Sequence, residues 1–152
     1  MVIAATREED LDDLLPLLRA YCDFYDVAPP DAALRALSEA LLDGADGVQL
    51  LARDDGGRAV GFATVYWTWQ TLTASRVGVM NDLFVAPAAR GSGAAEALIA
   101  ECADRARDHG ATHLTWQTAL DNARAQALYD RVGAQRSRWL DYELALGGAP
   151  RG

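Results

Sequence analysis

Small residues open a predicted helix directly after a predicted strand, an arrangement that suits anion binding. Residues 76–85 have the pattern of a strand, and a long helix over about residues 91–109 opens with Arg90, Gly91, Ser92, Gly93, Ala94 and Ala95. Glycine and alanine leave backbone N–H groups accessible at a helix start, where the helix dipole adds positive potential. Arg90 adds a charge-assisted contact to phosphate. Glu96 stands at the third glycine position of the dinucleotide fingerprint, so that fingerprint is absent. Taken alone, the segment would also suit an ordinary tight turn.

A second spaced pattern follows about thirty residues later, in Asn122, Ala125, Leu128-Tyr129 and Gly133. The first segment resembles the [Q/R]-x-x-G-x-[G/A] loop of the GNAT superfamily of N-acetyltransferases, and the second resembles that family's N-x-x-A-x-x-L-Y-x-x-x-G. Within the superfamily, AYCDFYDV near the start and NDLFV before the loop are similar to the small-amine and histone or polyamine members. The resemblance implies an enzyme that passes an acetyl group directly from acetyl-CoA to a primary amine, with no acyl-enzyme and no metal.

The resemblance also implies how acetyl-CoA is held. In the family, the loop that matches Arg90 to Ala95 binds the pyrophosphate. Two strands splay apart, and the pantetheine arm lies between them against backbone groups that correspond here to Leu83, Phe84 and Val85. Asn122 corresponds to a residue at the pantetheine arm, although capping of the following helix is by itself a sufficient reason for asparagine there.

Two residues are candidates for the proton transfers. Tyr129 stands at the family's tyrosine position and, protonated at neutral pH, is assigned as the general acid for the leaving thiolate; packing on the sheet is its alternative role. Related enzymes often have Glu-Asp where this chain has Asn81-Asp82. Asn81 cannot serve as a base and is assigned to substrate binding. We therefore expect deprotonation through water with Asp82 as the candidate base, unless Asp82 pairs with an arginine instead.

The resemblance also implies that the acceptor site lies at the end of the first helix, since in the family the first two helices and their loop cover the substrate pocket. Aromatic and acidic residues there suit an alkylammonium group through cation–π and ionic contacts, which selects Tyr25 and Asp26. Trp67, two residues before Trp69 on a predicted strand, is expected to wall the same pocket. The alternative is that these aromatic residues make core or dimer contacts, and a homodimer therefore stays open.

Charge and composition exclude several other classes of protein. Residues 1–55 contain 13 acidic and 4 basic residues, whereas the remainder is nearly neutral. This disfavours nucleic acid, whose phosphates need a basic face, and is compatible with a cationic partner.

All 14 basic residues are arginine, so a Schiff-base lysine is excluded. The two cysteines and two histidines lack zinc spacing, and Cys102 lies on an apolar helical stripe typical of a core thiol. The chain has no apolar run long enough to span a membrane and no signal-peptide pattern, which predicts a cytoplasmic protein.

The elements that must position these residues alternate along the chain. Predicted strands cover residues 2–5, 48–53, 59–69, 76–85, 113–118 and 135–146, and predicted helices cover about 11–24, 32–42, 91–109 and 122–131. Thr6 and Glu9 have the spacing of a capping box before the first helix. This order predicts an α/β (α+β) fold with a mixed sheet and helices on its faces. The resemblance implies that the sheet is mostly antiparallel, with helices on both faces and a splayed strand pair. One domain is expected over residues 1–146, followed by a short flexible tail over 147–152.

Three functions fit this sequence. The first is acetyl-CoA-dependent transfer to a primary amine of a small molecule. The second is acetylation of a protein lysine or N-terminus, which would need a broad groove. The third is a non-catalytic acyl-CoA-binding regulatory domain, which Tyr129 argues against and Asn81 keeps open.

Overall fold

The computed structural model describes residues 1–148, which form two compact units over residues 1–119 and 120–148. Of the expected tail, residues 149–152 lie outside the described residues. No helix within residues 1–148 is long and apolar enough to cross a membrane.

The first unit contains a five-stranded sheet and three helices. Its strands are ordered β1-β2-β3-β4-β5; the first three pairings are antiparallel, and β4 and β5 are parallel. The elements in chain order are β1 (Val2–Ala5), α1 (Leu11–Phe24), α2 (Asp31–Ala40), β2 (Gly47–Arg53), β3 (Ala59–Gln70), β4 (Ser75–Val85), α3 (Ala94–Asp108) and β5 (Ala111–Thr115).

One face of the sheet packs against α1 and α2. Leu51, Phe62 and Phe84 lie side by side on β2, β3 and β4, and their side chains join the leucines of α1 in one buried cluster. Phe62 is fully buried. Because apolar area removed from water stabilises a fold, this cluster holds α1 firmly over the middle of the sheet.

The other face packs against α3. A Cβ atom on Gly61 would lie 3.4 Å from Leu98 of α3, and one on Gly78 would lie 3.0 Å from the Cβ of Ala106. Gly78 therefore lets α3 approach β4 closely. Leu98 and Cys102 are fully buried in this second layer. The predicted mixed, mostly antiparallel sheet with helices on both faces is confirmed.

The second unit consists of one helix and a following segment without regular structure. Helix α4 covers Ala123–Arg131, and the Asn122 side chain caps it by accepting a hydrogen bond from the Ala125 N–H at 3.1 Å. The strand predicted over residues 135–146 is wrong, because these residues form neither helix nor strand. A strand needs a backbone partner, and described residues 120–148 contain no second strand. Arg136 instead bonds the Asp130 side chain at 2.6 Å.

Candidate active site

Strand β4 extends beyond its partner on one edge. The pairing of β4 with β5 runs from Arg76 to Val79, where β5 ends at Thr115. On the opposite edge, β3 stays paired with β4 as far as Val85. Within the first unit, the β4 edge over residues 80–85 therefore extends past the end of β5 and has no strand partner on that side. This edge carries the backbone groups of Leu83, Phe84 and Val85, which can hydrogen-bond an extended ligand.

A β-bulge in β4 determines which face the acidic side chain reaches. Thr64 pairs with Asp82 and Val65 pairs with Met80, so Asn81 is the extra residue. Because side chains alternate along a strand, the bulge places Met80 on the α3 face and Asp82 on the α1 face. Met80 is buried, whereas Asn81 is exposed and donates a hydrogen bond from Nδ2 to Asp82 Oδ1 at 2.9 Å.

Asp82 is a partly buried carboxyl group surrounded by donors. Burial raises its pKa above the usual aspartate value, and hydrogen bonds from Thr64, Tyr21 and Asn81 act in the opposite direction. Burial and the nearby Asp82 charge raise the pKa of Tyr21, so the Tyr21 hydroxyl stays protonated and is available as a donor to the carboxylate. Burial and Asp82 also raise the pKa of Tyr66. A carboxylate with a raised pKa in a partly accessible position can accept a proton or hold a cation.

Aromatic rings connect Asp82 with the end of α1. The Tyr21 ring centroid lies 5.1 Å from Tyr25, 5.7 Å from Phe62 and 6.2 Å from Phe84, in each case edge to face. Tyr25 is 52% exposed, and Asp26 follows it in a left-handed backbone conformation at φ 55°. The structure therefore brings predicted residue Tyr25 into contact with Tyr21, which bonds Asp82. Asp26 lies exposed beside Tyr25 at the surface.

Trp67 lies on the opposite face of the sheet. It pairs with Gly78 on the α3 side, where its ring stacks on His109 with centroids 4.2 Å apart. Its Nε1–H donates to the Gly44 carbonyl at 3.1 Å. Trp67 and Trp69 share a face of the sheet, as predicted. The structure does not bring Trp67 together with Tyr25, so Trp67 contacts none of the other predicted acceptor residues.

The loop between β4 and α3 provides an open helix start. Gly91 and Gly93 have left-handed φ angles of 80° and 84°, and a Cβ atom at either position would meet nothing within 4 Å. Gly93 is the N-cap, so α3 begins at Ala94 rather than at Gly91. The first N–H groups of α3, including those of Ala94 and Ala95, have no partner within the helix. This bare helix start fits a phosphate group.

Arg90 is folded back onto the end of β4. Its Nε donates to the Val85 carbonyl at 3.3 Å, which places the exposed guanidinium between the strand end and the loop. The Ser92 N–H donates to the Ala89 carbonyl at 3.3 Å, which leaves its hydroxyl as the group offered to an anion. The arrangement joins the β4 edge and the anion site directly.

Neither cysteine is suited to nucleophilic catalysis. Cys22 and Cys102 are both buried and free. Burial raises the pKa of the Cys102 thiol to about 12, so it is protonated at neutral pH and packs as a core residue. No group of three or more His, Cys, Asp or Glu side chains able to hold a metal ion occurs within residues 1–148.

Two further predicted residues lie in the second unit. The Asn122 Oδ1 is engaged in capping α4, which leaves its amide NH₂ for a ligand. Tyr129 lies on α4, and its carbonyl accepts the Ala134 N–H at 3.0 Å as the chain turns at Gly133, where φ is 83°. The motif from Asn122 to Gly133 is thus a capped helix with a glycine turn at its end.

Comparison with known proteins identifies the family. A sequence model described as the Acetyltransferase (GNAT) family matches residues 14–134. The chain belongs to the GNAT acetyltransferase family. It is similar to an uncharacterized N-acetyltransferase, YhfO, of Bacillus subtilis (strain 168), with 34% identity over 133 residues that cover 88% of this chain and 89% of the relative. The protein is therefore an N-acetyltransferase enzyme, as the two sequence motifs predicted.

Solved structures of the GNAT fold match closely. The crystal structure of a probable acetyltransferase has a TM-score of 0.86 and 30% identity, covering 98% of this chain and 100% of that one. The aminoglycoside N-acetyltransferase AAC(6')-Iy, solved in complex with CoA, has a TM-score of 0.85, covering 96% and 95% of the two chains. At 21% identity, this match shows that the two chains share a fold and nothing more.

Sequence reasoning missed Thr64 and Gln49 as parts of the site. Tyr21 belongs to the aromatic and acidic group expected at the end of the first helix, and the structure places it inside α1, facing the sheet. A polar residue in the apolar stretch of β3 was the available signal for Thr64.

Proposed function

We propose that this GNAT enzyme transfers the acetyl group of acetyl-CoA directly to a primary amine of a small cationic molecule. The observation that carries the proposal is Asp82, a partly buried carboxylate on the α1 face of β4, with an aromatic and acidic surface leading to it. The start of α3 at Ala94 is not needed for the amine; it supports the anionic donor. The groups that attract the cationic amine and those that attract the anionic donor thus lie in different parts of the chain.

Different residues of the first unit bind different parts of the donor. The N–H groups at the start of α3 and the Arg90 guanidinium bind the phosphates of the donor. Backbone groups of Leu83 to Val85 hydrogen-bond its pantetheine arm along the open edge of β4. The donor supplies a thioester, whose carbonyl carbon is the point of attack. Asn122 of the second unit adds an amide donor for the same arm.

Proton transfers complete the proposed reaction. Asp82 accepts, through a water molecule, one proton from the substrate ammonium, and the free amine then attacks the thioester carbonyl. As the carbon–sulfur bond breaks, the Tyr129 hydroxyl donates a proton to the departing thiolate, and the second proton, released from the acetylated nitrogen, returns through water to the Tyr129 oxygen. Asn81 holds the Asp82 carboxylate from the exposed side and faces the acceptor. No side chain is acylated, which agrees with the buried, protonated Cys102.

The aromatic and acidic surface favours a small cationic acceptor. The exposed Tyr25 ring and the Asp26 carboxylate stand at the outer end of the path to Asp82, and an alkylammonium group satisfies both. AAC(6')-Iy, whose fold this chain shares, is named for acetylation of aminoglycosides. We further propose that the enzyme works in the cytoplasm.

Asp26→Asn tests the cationic acceptor. Asparagine keeps the size of the side chain and tolerates the left-handed backbone at φ 55°, so only the charge changes. We expect the KM of the amine to rise roughly two- to five-fold with kcat nearly unchanged, since an exposed ion pair contributes about 0.2–1 kcal/mol. The same KM should rise with salt in wild type, and by less in the variant. Steady-state kinetics with the amine varied at saturating acetyl-CoA measures both.

The matched control is Asp108→Asn, which makes the same change in net charge at the last residue of α3, on the other face of the sheet. We expect its amine KM to equal that of wild type. Equal KM values for Asp26→Asn and Asp108→Asn at every salt concentration would contradict a cationic acceptor at this surface.

A further inference from the structure

A row of polar side chains crosses the sheet beneath α1 and ends at Asp82. Gln49 on β2 pairs with Thr64 on β3, and Thr64 pairs with Asp82 on β4. Thr6, just after β1, continues the row, since its N–H donates to the Gln49 carbonyl at 2.8 Å. Paired residues of antiparallel strands project to the same face, so all four side chains lie on the α1 face. The neighbouring row on that face is apolar: Leu51, Phe62 and Phe84.

This polar row is poorly suited to a purely structural role. Thr64 is fully buried and Gln49 is 3% exposed. Within the described part of the chain, the Gln49 Oε1 and the Thr6 Oγ1 are buried without a hydrogen-bond partner. Burying such groups costs stability that apolar residues in the same places would not lose. The side-chain hydrogen bond that the row does make joins Gln49 to Thr64, the residue paired with Asp82.

Hydrogen-bond chemistry gives the row a direction. An ionised Asp82 can only accept, so the hydroxyl of Thr64, which is paired with Asp82 across the sheet, serves as the donor toward it. The Thr64 oxygen is then free to accept, and the Gln49 Nε2 lies 3.3 Å from it as a donor. Each donor polarises the next, which strengthens the bond that reaches the carboxylate.

The geometry points to Thr64 and Gln49 as positioning residues of the reaction, which hold the Asp82 carboxylate toward the acceptor through the Gln49–Thr64 hydrogen bond and the cross-strand pairing of Thr64 with Asp82. This inference rests on the proposed function, in which Asp82 is the proton acceptor. It assigns a role to two buried residues that do not contact the substrate. The row holds Asp82 from the β3 side. Asn81 donates a hydrogen bond to it from the exposed side, and Tyr21 interacts with it from α1.

Loss of the Thr64 hydroxyl should change the titration of Asp82. The titratable groups that interact with Asp82 are Tyr21 of α1 and Tyr66 of β3, and both stay neutral near pH 7 because their own pKa values are raised. Tyr25 stands behind Tyr21. Thr64→Val removes a hydrogen bond that lowers the Asp82 pKa and leaves the effect of burial, which raises it. The Asp82 pKa should therefore rise, by about one unit for a hydrogen bond to a charged group.

The experiment compares four variants of the whole protein: Thr64→Val, Thr64→Ser, Gln49→Met and Asp82→Asn. In Thr64→Val, we expect the acid limb of kcat/KM for the amine to move about one pH unit upward, with about a ten-fold loss of activity on that limb. Thr64→Ser keeps the hydroxyl and should restore the wild-type profile. Gln49→Met, of similar volume, should give a smaller upward shift. The Kd for CoA should be unchanged in all four.

Carboxyl ¹³C NMR of aspartate-labelled protein reads the same titration without turnover, with Asp82→Asn to assign the signal. An unchanged Asp82 titration in folded Thr64→Val and Gln49→Met would overturn the positioning role. Equal losses in Thr64→Val and Thr64→Ser, with no shift in pH, would also overturn it, since they indicate packing alone. If Asp82→Asn keeps wild-type activity and pH profile, the base assigned under the proposed function fails instead, whatever the titration shows.

Discussion

A Gly93→Asp variant is expected to bind CoA at least about one hundred-fold more weakly than wild type while keeping its fold. Gly93 is the N-cap of α3 at φ 84°, and a Cβ atom there meets nothing within 4 Å. Aspartate is among the residues that tolerate this backbone region, so little strain is expected. Its carboxylate, however, would occupy the helix start where the phosphates bind, satisfy the same N–H groups and repel the anion. Isothermal titration calorimetry with CoA measures the loss.

Gly93→Asn is the matched control, because asparagine has the same shape and the same capping ability without the charge. We expect it to lose only part of the affinity. Circular dichroism should show the wild-type helix content in both variants. CoA affinity in folded Gly93→Asp equal to that of wild type would remove the phosphate role of the loop from Arg90 to Ala95.

Tyr129→Phe is expected to lower kcat by roughly 10²–10⁴-fold, the usual contribution of a positioned general acid. The change removes only the hydroxyl that donates a proton to the leaving thiolate. Because the ring is kept and the CoA-binding residues are untouched, the Kd for acetyl-CoA should stay near the wild-type value. Steady-state kinetics with the preferred amine and calorimetry with acetyl-CoA separate the two quantities.

Tyr142→Phe makes the same chemical change at a tyrosine outside both family motifs, and we expect its kcat to equal that of wild type. If Tyr129→Phe also keeps full activity on the preferred amine, Tyr129 is a packing residue of α4 and the thiolate receives its proton from elsewhere.

The sequence was most informative where spacing determines backbone conformation. The first strand was predicted with its observed bounds, Val2–Ala5, and β2, β3 and β4 were each predicted within one residue at either end. The glycines of the anion loop were predicted as an open helix start, and both have the left-handed φ angles that glycine adopts most readily. These features depend on local periodicity and turn chemistry, which a single sequence contains.

Features that depend on tertiary pairing were less accessible. The bulge at Asn81 decides that Asp82 faces α1, yet a one-residue slip in pairing leaves no signal in the composition of β4. Trp67 was expected at the acceptor pocket, but it lies five residues after Phe62 on β3, so its side chain is on the opposite face, where it stacks on His109.

Two local predictions failed for different reasons. The Thr6–Glu9 capping box is replaced by Arg7 and Asp10, where the Arg7 N–H donates to Asp10 Oδ2 at 3.0 Å. Thr6 itself continues the pairing of β1 with Gln49 and so belongs to the polar row. The alternating pattern over residues 135–146 predicted a strand, but alternation alone cannot supply the strand partner that its backbone needs.

The measurement that tests the central claim most directly is the acetylation of defined amines by the purified protein. Wild type is incubated with acetyl-CoA and a panel of alkylamines, diamines, aminoglycosides, neutral amino sugars and a lysine-containing peptide. Free thiol and acetylated product are both measured, and the Asp82→Asn variant is assayed in parallel. We predict that a small cationic amine is acetylated fastest, with one thiol released per acetyl group transferred, and that Asp82→Asn is strongly impaired. Acetyl-CoA binding without acetylation of any small amine, or a clear preference for the peptide, would contradict the account.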